Sequence, residues 1–411
     1  MTIISNMDDP VTDPNIVCTR QTKVDKCNGP NLPESFERSY NLYHYNKSAL
    51  TAELTYTYGL LRSVIVNASN QIVCFSPPKS LSADTFISEY PAQSIWQQYL
   101  VAEEFVEGTM INVFWDEALN AFEFATRNNV GADVTFYRGA GASNKTFKTM
   151  FTECAAACQL DVNKLNKRFC YSFVMQHPEN RIVVAFSKPQ LYLIATYDIH
   201  NYNELTNEQE VTVMPVSPEI AYDWTTTIVK FPQVFTEWHS YDDLKNQYAS
   251  STTPYTVVGV VIKNMRSGAR CKIRNPAYEE MRRLRGNHSK PQYHYLTLRK
   301  EGKVAEYLRH FPEHQHMFAQ FRFQLHAFTY NLHANYVNCY IKKEKPISEY
   351  PKQFRTHMFK LHEKYVNELK MMNLYVSNAV TIEYVNNLLP AHLMYSLNYN
   401  LRPVRATGDS V

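Results

Sequence analysis

From about residue 40 to 275, apolar residues recur in short runs whose length and β-branched content predict strands: 61–66, 71–76, 110–115, 121–126, 169–176, 181–186, 191–197 and 255–263. Turn residues separate the runs, which predicts an antiparallel sheet architecture. Within this region 145–160 has helical spacing, with Phe147, Met150, Phe151 and Cys154 on one face. Beyond 276 the β-branched runs thin out, and 304–311, 316–335, 350–372 and 381–399 read as helices rich in Leu, Phe, Tyr and His. Ahead of the strands, Asp9-Pro10, Asp13-Pro14 and Gly29-Pro30 break any periodicity in a stretch rich in Asp, Asn, Pro and Thr. The pattern therefore predicts a flexible arm over 1–38, a sheet domain over 39–290, a helical C-terminal domain over 291–402 and a flexible tail over 403–411. No internal repeat or heptad run appears.

Composition narrows the function classes. The 411 residues are 45% hydrophobic, which places the chain among folded proteins. Only 11 are glycine, too few for repeated glycine-rich phosphate loops. A net charge of +3 cannot attract nucleic acid globally, so any such partner needs a local patch. The eight cysteines lack C-x-x-C spacing, and no apolar leader precedes them. They read as free thiols of a soluble protein in a reducing, cytoplasmic compartment. Cys154 and Cys158 share a helix face and read as small buried residues. No run reaches the length of a membrane span, so no membrane partner is expected.

An ordered series of short motifs runs through the sheet region. Arg62 to Val66 and 71–76 form a hairpin followed by Pro77-Pro78-Lys79. Glu107-Gly108-Thr109 opens a strand. Next come Phe173, then His177-Pro178-Glu179-Asn180-Arg181, then 191–195, Gly259-Val260-Val261-Ile262, and Lys272-Ile273-Arg274. The series, from about 60 to 290, resembles the RNA ligase family within the covalent nucleotidyltransferases. The run 103–112 also looks like ligase-like proteins of large double-stranded DNA viruses, which implies a host cytoplasm or virion setting. The resemblance implies an α+β fold, with an antiparallel-sheet nucleotidyltransferase core ahead of the helical domain.

In that family a lysine attacks the α-phosphate of a nucleoside triphosphate, two carboxylates meet ribose and divalent metal, and a K-x-K motif meets phosphate. Here the resemblance places Phe105 at the nucleophile, and Val174 and Val258 at the two carboxylates. From Ser80 through Asn144 there is no lysine, so a shift of register cannot supply one. The reactive groups are missing, and no catalytic residue is assigned. What the resemblance retains for nucleotide or phosphate binding is Arg62, Lys79, Glu107, Lys272 and Arg274. Phe105 is read as filling the vacated lysine site as core, in preference to stacking on a base.

Between 263 and 290, nine Lys or Arg face two Glu. This is the local patch that the global charge lacks. Arg282, Arg283 and Arg285, with Tyr278 as a stacking ring, are read as a surface for single-stranded or structured RNA. Glu103, Glu104 and Glu107 are not read as a metal cluster, because neighbours in a strand point to opposite faces. His310 and His314 are spaced i, i+4, but Pro312 interrupts the helix and no metal is assigned there.

The reading is a catalytically degenerate, RNA-ligase-like pseudoenzyme that binds RNA or nucleotide without a lysyl-nucleotide intermediate. Two alternatives stand beside it. One is an active ligase with a rearranged site, which would need ATP and Mg2+. The other is a scaffold that uses only the fold, with protein partners on the helical domain.

Overall fold

The computed structural model describes residues 2–3, 13–26, 35–136, 145–201 and 211–401. They form two compact units, the first from the described residues up to 135 and those of 145–285, the second from the described residues of 286–401. The fold class is α+β, with antiparallel sheets followed by a helical C-terminal region.

The first unit contains three sheets. In one, β1 (Ile16–Lys26), β2 (Ser35–Tyr45), β3 (Val64–Asn67) and β4 (Ile72–Phe75) pair in that order. The second is seven-stranded. Its centre runs β10 (Val211–Pro215), β9 (Gln190–His200), β8 (Phe169–Gln176), β6 (Thr109–Asp116), β7 (Ala121–Thr126), with Thr2–Ile3 and Asn129–Val130 at its edges. In the third, Val234–Phe235 pairs β5 (Leu100–Glu104), which pairs β11 (Gly259–Asn264), which pairs β12 (Arg270–Arg274). Every pairing within these sheets is antiparallel.

Period-two alternation builds the cores. The first two sheets pack face to face through Leu42, Ile65, Phe75, Phe114, Cys170 and Tyr197. The opposite face of the large sheet, with Ile111, Val113, Tyr171 and Phe173, is covered by Met150, Phe151, Cys154 and Cys158 from α2 (Phe147–Ala157) and its C-cap. Buried Arg38 ties β2 to the large sheet through ion pairs to Glu123 at 2.8 Å and Asp116 at 3.2 Å. The third sheet has its own core. Leu100, Ala102, Val260, Ile262 and Cys271 pack on Phe86 of α1 (Ala83–Glu89) and on Tyr241 and Leu244 of α3 (Tyr241–Tyr248).

Three sequence expectations need correction. The arm over 1–38 fails for 16–26, which pairs along its whole length with 35–45. Its alternation is mostly polar because much of the strand is exposed. Residues 181–186 form a loop instead of a strand, since the amides of Val183 and Val184 donate to the side chain of Glu107. The helix expected over 381–399 is two, Asn378–Asn387 and Pro390–Leu397, broken where Leu388 and Leu389 turn extended ahead of Pro390. The tail expected over 403–411 lies outside the described residues.

In the helical unit, Gln315–Tyr336 is the long central helix. Leu325, Phe328 and Leu332 are among its buried residues, and helix Lys352–Lys364 brings Phe354 against Phe328. His314 bonds the Tyr307 hydroxyl at 2.6 Å and stacks on its ring. No helix among the described residues is long and apolar enough to cross a membrane.

Candidate phosphate-binding site

The strand Arg270-Cys271-Lys272-Ile273-Arg274 alternates basic and apolar residues. Cys271 and Ile273 turn into the core under α1 and α3, so Arg270, Lys272 and Arg274 share the opposite face of the sheet. On β5 and β11 that face carries Glu103, Val261 and Lys263, placed side by side by the register Glu103↔Val261↔Lys272. Phe105 follows the end of β5, where its amide still bonds Gly259 O at 3.1 Å.

The hairpin that ends at Pro77-Pro78-Lys79 reaches the same place. Arg270 donates to the carbonyls of Pro78 at 2.9 Å and Pro77 at 3.2 Å, and Arg62 reaches Pro77 O at 3.4 Å. Five cations, Arg62, Lys79, Arg270, Lys272 and Arg274, thus lie close enough to act on one another's charge. The Lys272 amine feels this most. Burial, followed by the charges of Arg270, Arg62, Arg274 and Lys79, pushes it down to about 6. Burial and the neighbouring Arg62 lower Arg270 to about 10, so it stays charged at neutral pH. Lys79 is lowered by burial and then by Arg274, Arg62 and Arg270.

Nearby carboxylates offset only part of this charge. Glu103 is ion-paired to Lys263, and Glu279 is shared by Arg274 at 3.4 Å and Arg282 at 3.5 Å. Among the described residues Lys272 has no hydrogen-bond or ion-pair partner. Its nitrogen sits 4.3 Å from the centroid of the Phe105 ring, and the Arg274 guanidinium carbon 6.0 Å from it. Positive charge thus exceeds negative charge around Lys272, a setting complementary to an anion. A cavity of about 460 Å³, walled by Pro77, Pro78, Leu193, Tyr197, Lys263 and Arg270, adjoins it.

Behind Phe105 the surroundings are apolar. Phe105 packs with Val183, Val258 and Tyr278, and Val258 is 6% exposed. Val174, also 6% exposed, lies against Gly108, where an added Cβ would stand 2.6 Å from its Cγ1 and 2.5 Å from Met175 O. Gly259 is constrained in the same way: its φ is +131°, and a Cβ there would meet Ile273 O at 2.1 Å. The three positions where the resemblance expects reactive groups are therefore packed with apolar side chains.

The expected site residues divide. The structure brings Arg62, Lys79, Lys272 and Arg274 together and adds Arg270, which sequence reasoning missed although its alternation with Cys271 marked it. Glu107 is not free to meet a nucleotide. Its carboxylate accepts from Val183 N at 2.7 Å, Val184 N at 2.9 Å and the Tyr278 hydroxyl at 3.0 Å. Burial raises its carboxyl above the usual range, against the pull of those three donors. Tyr278, expected to stack on bases, is 5% exposed and committed to Glu107, so its ring does not face solvent. Arg285 is 6% exposed and offers no open surface to RNA. Both lie on the inward stripe of α4 (Pro276–Arg285), seven residues apart with Met281 between them. Arg282 and Arg283 are on its exposed side, tied to Glu279 by the ion pair above and by a 3.4 Å bond to its carbonyl.

No protein-family model matches the chain, and no curated protein matches it. Solved structures similar to it include an RNA ligase of Naegleria gruberi with ATP and Mn, at 11% identity and TM-score 0.33, covering 50% of this chain and 57% of that one. The chain thus matches little more than half of that protein. Two forms of an archaeal ATP-dependent RNA ligase align at 10% and 11% identity with TM-scores of 0.31 and 0.34, each covering 88% of this chain and 71% of that chain. Likenesses at these scores and identities fix neither a family nor a function.

Proposed function

We propose that this protein binds the phosphate groups of a nucleotide or of single-stranded RNA at the cluster Arg62, Lys79, Arg270, Lys272 and Arg274, without forming a lysyl-nucleotide at position 105. The carrying observation is the cluster itself: five basic side chains, three from one sheet face and two from the hairpin beside it, mutually destabilising, with Glu279 pairing Arg274 and Glu103 paired to Lys263. Such an arrangement raises the folding free energy unless an anion relieves it. The apolar packing of Phe105, Val174 and Val258 supports the absence of phosphoryl transfer, since no amine stands at 105 and no carboxylate at 174 or 258 to hold a metal. Arg282 and Arg283, on the exposed side of α4, would extend the site along a strand of RNA.

Two measurements test the reading. Calorimetric titration with pyrophosphate and with a single-stranded oligoribonucleotide at low salt should show binding to both, weakened by Lys79→Ala with Arg274→Ala. Incubation with α-labelled ATP or GTP and magnesium, then denaturing electrophoresis, should leave the protein unlabelled. Absence of binding would remove the phosphate reading, and a labelled band would restore the active-ligase reading.

A further inference from the structure

Resting on the phosphate-binding reading, we infer that Lys272 is a carbonyl-reactive lysine, and that this site takes an aldehyde that also bears phosphate. The geometry has three parts. The amine lies over the face of the Phe105 ring, with no acceptor to hold its protons. Lys272 as a whole is half-buried. Arg270, Arg62, Arg274 and Lys79 lie close enough to act on its charge and can attract a phosphate to it.

Chemistry separates this role from phosphoryl transfer. Attack on phosphorus must neutralise a crowded, anionic centre, which calls for the metal and carboxylates that Val174 and Val258 do not supply. Attack on an aldehyde needs only a neutral amine and a source of protons. The amine nitrogen forms a bond to the carbonyl carbon, and the carbonyl oxygen takes a proton to give a carbinolamine. Loss of water then leaves the imine, with no oxidant, reductant or metal consumed. An amine pushed down to about 6 is mostly neutral at pH 7, whereas an ordinary lysine near 10.5 is almost wholly protonated.

Two sources share this ligand chemistry, a small phosphorylated aldehyde and an abasic sugar within a nucleic-acid strand. The test uses the whole chain at pH 7 with three probes: pyridoxal 5′-phosphate, pyridoxal without phosphate, and a single-stranded oligonucleotide with one abasic site. Borohydride traps the imine, and peptide mapping locates it. The expected result is trapping at Lys272 at least tenfold faster than at any other lysine, at least tenfold slower with pyridoxal, and suppressed by pyrophosphate. Trapping of the abasic strand at Lys272 identifies the nucleic-acid source, and its absence beside pyridoxal phosphate trapping identifies the small molecule. Lys272→Arg should abolish the fast phase while circular dichroism and the melting transition show a folded variant, which separates a failed fold from a lost nucleophile. Uniform labelling of the lysines, or equal rates with and without phosphate, overturns the inference. If pyrophosphate binds and Lys272 remains unmodified, this inference falls and the phosphate reading stands.

Discussion

The amine of Lys272 stands 4.3 Å over the ring of Phe105, a residue at which the sequence resemblance led us to expect a lysine. The contact joins strand β12 to the end of β5 across the intervening strand β11. It gives Phe105 two roles, packing beside Val258 on one side and lying beneath the half-buried Lys272 on the other.

Phe105→Lys alone should not create self-nucleotidylation. The new amine would join the cation cluster and face apolar Val258, while the neighbouring Glu107 carboxylate is already engaged by Val183, Val184 and Tyr278. The expected outcome is no label from α-labelled ATP and a lower melting temperature. Strong labelling from the single substitution would show that the site holds metal ligands other than those assigned.

Lys272 should make stability depend on pH. Its folded value, about 6, lies below the ordinary value of 10.5, so between these limits the unfolded chain binds more protons and stability rises with pH. Below about pH 6 the cost is complete and constant. Lys272→Met should therefore stabilise the protein at pH 7, by about 1–3 kcal/mol after allowance for partial exposure, with the gain shrinking toward pH 10. Denaturant melts of both proteins at pH 6, 8 and 10 read this directly. A constant difference would place the amine in water.

Glu107 should prove structural. Glu107→Ala leaves the amides of Val183 and Val184 and the Tyr278 hydroxyl without their acceptor and should destabilise the domain by about 2–4 kcal/mol. Val258→Glu would bury an unpaired carboxylate in the neighbouring cluster and cost about 3 kcal/mol. Melting temperatures unchanged in both variants would mean an open, hydrated site.

RNA binding should weaken with salt, the logarithmic slope losing about 0.7 for each phosphate contact removed from a single strand. Lys79→Ala with Arg274→Ala, both at exposed positions, should lower the slope by about 1.4. Arg285→Ala should instead lower stability while leaving the slope of the folded protein unchanged, because that side chain is buried.

Much of the fold was legible where alternation was strong. The strands Ala121–Thr126 and Phe169–Gln176 sit where their apolar runs placed them, since both faces of their sheet are covered. Strand Ile16–Lys26 was not, because it interleaves Arg, Lys and Asp and draws its order from pairing with 35–45. The loop at 181–186 reads as a strand until a distant carboxylate, Glu107, captures its amides. The cation cluster was visible as charge but not as a surface: strand phase put Arg270 into it, and helix phase took Tyr278 and Arg285 out.

The most direct test of the phosphate site is calorimetric titration of pyrophosphate into the wild-type chain and into Lys79→Ala with Arg274→Ala, at pH 7 and low salt, with circular dichroism confirming that the variant folds. The account predicts saturable binding by the wild-type protein and at least a tenfold weaker affinity in the variant. No saturable binding by the wild-type protein, or equal affinity in the two, would contradict it.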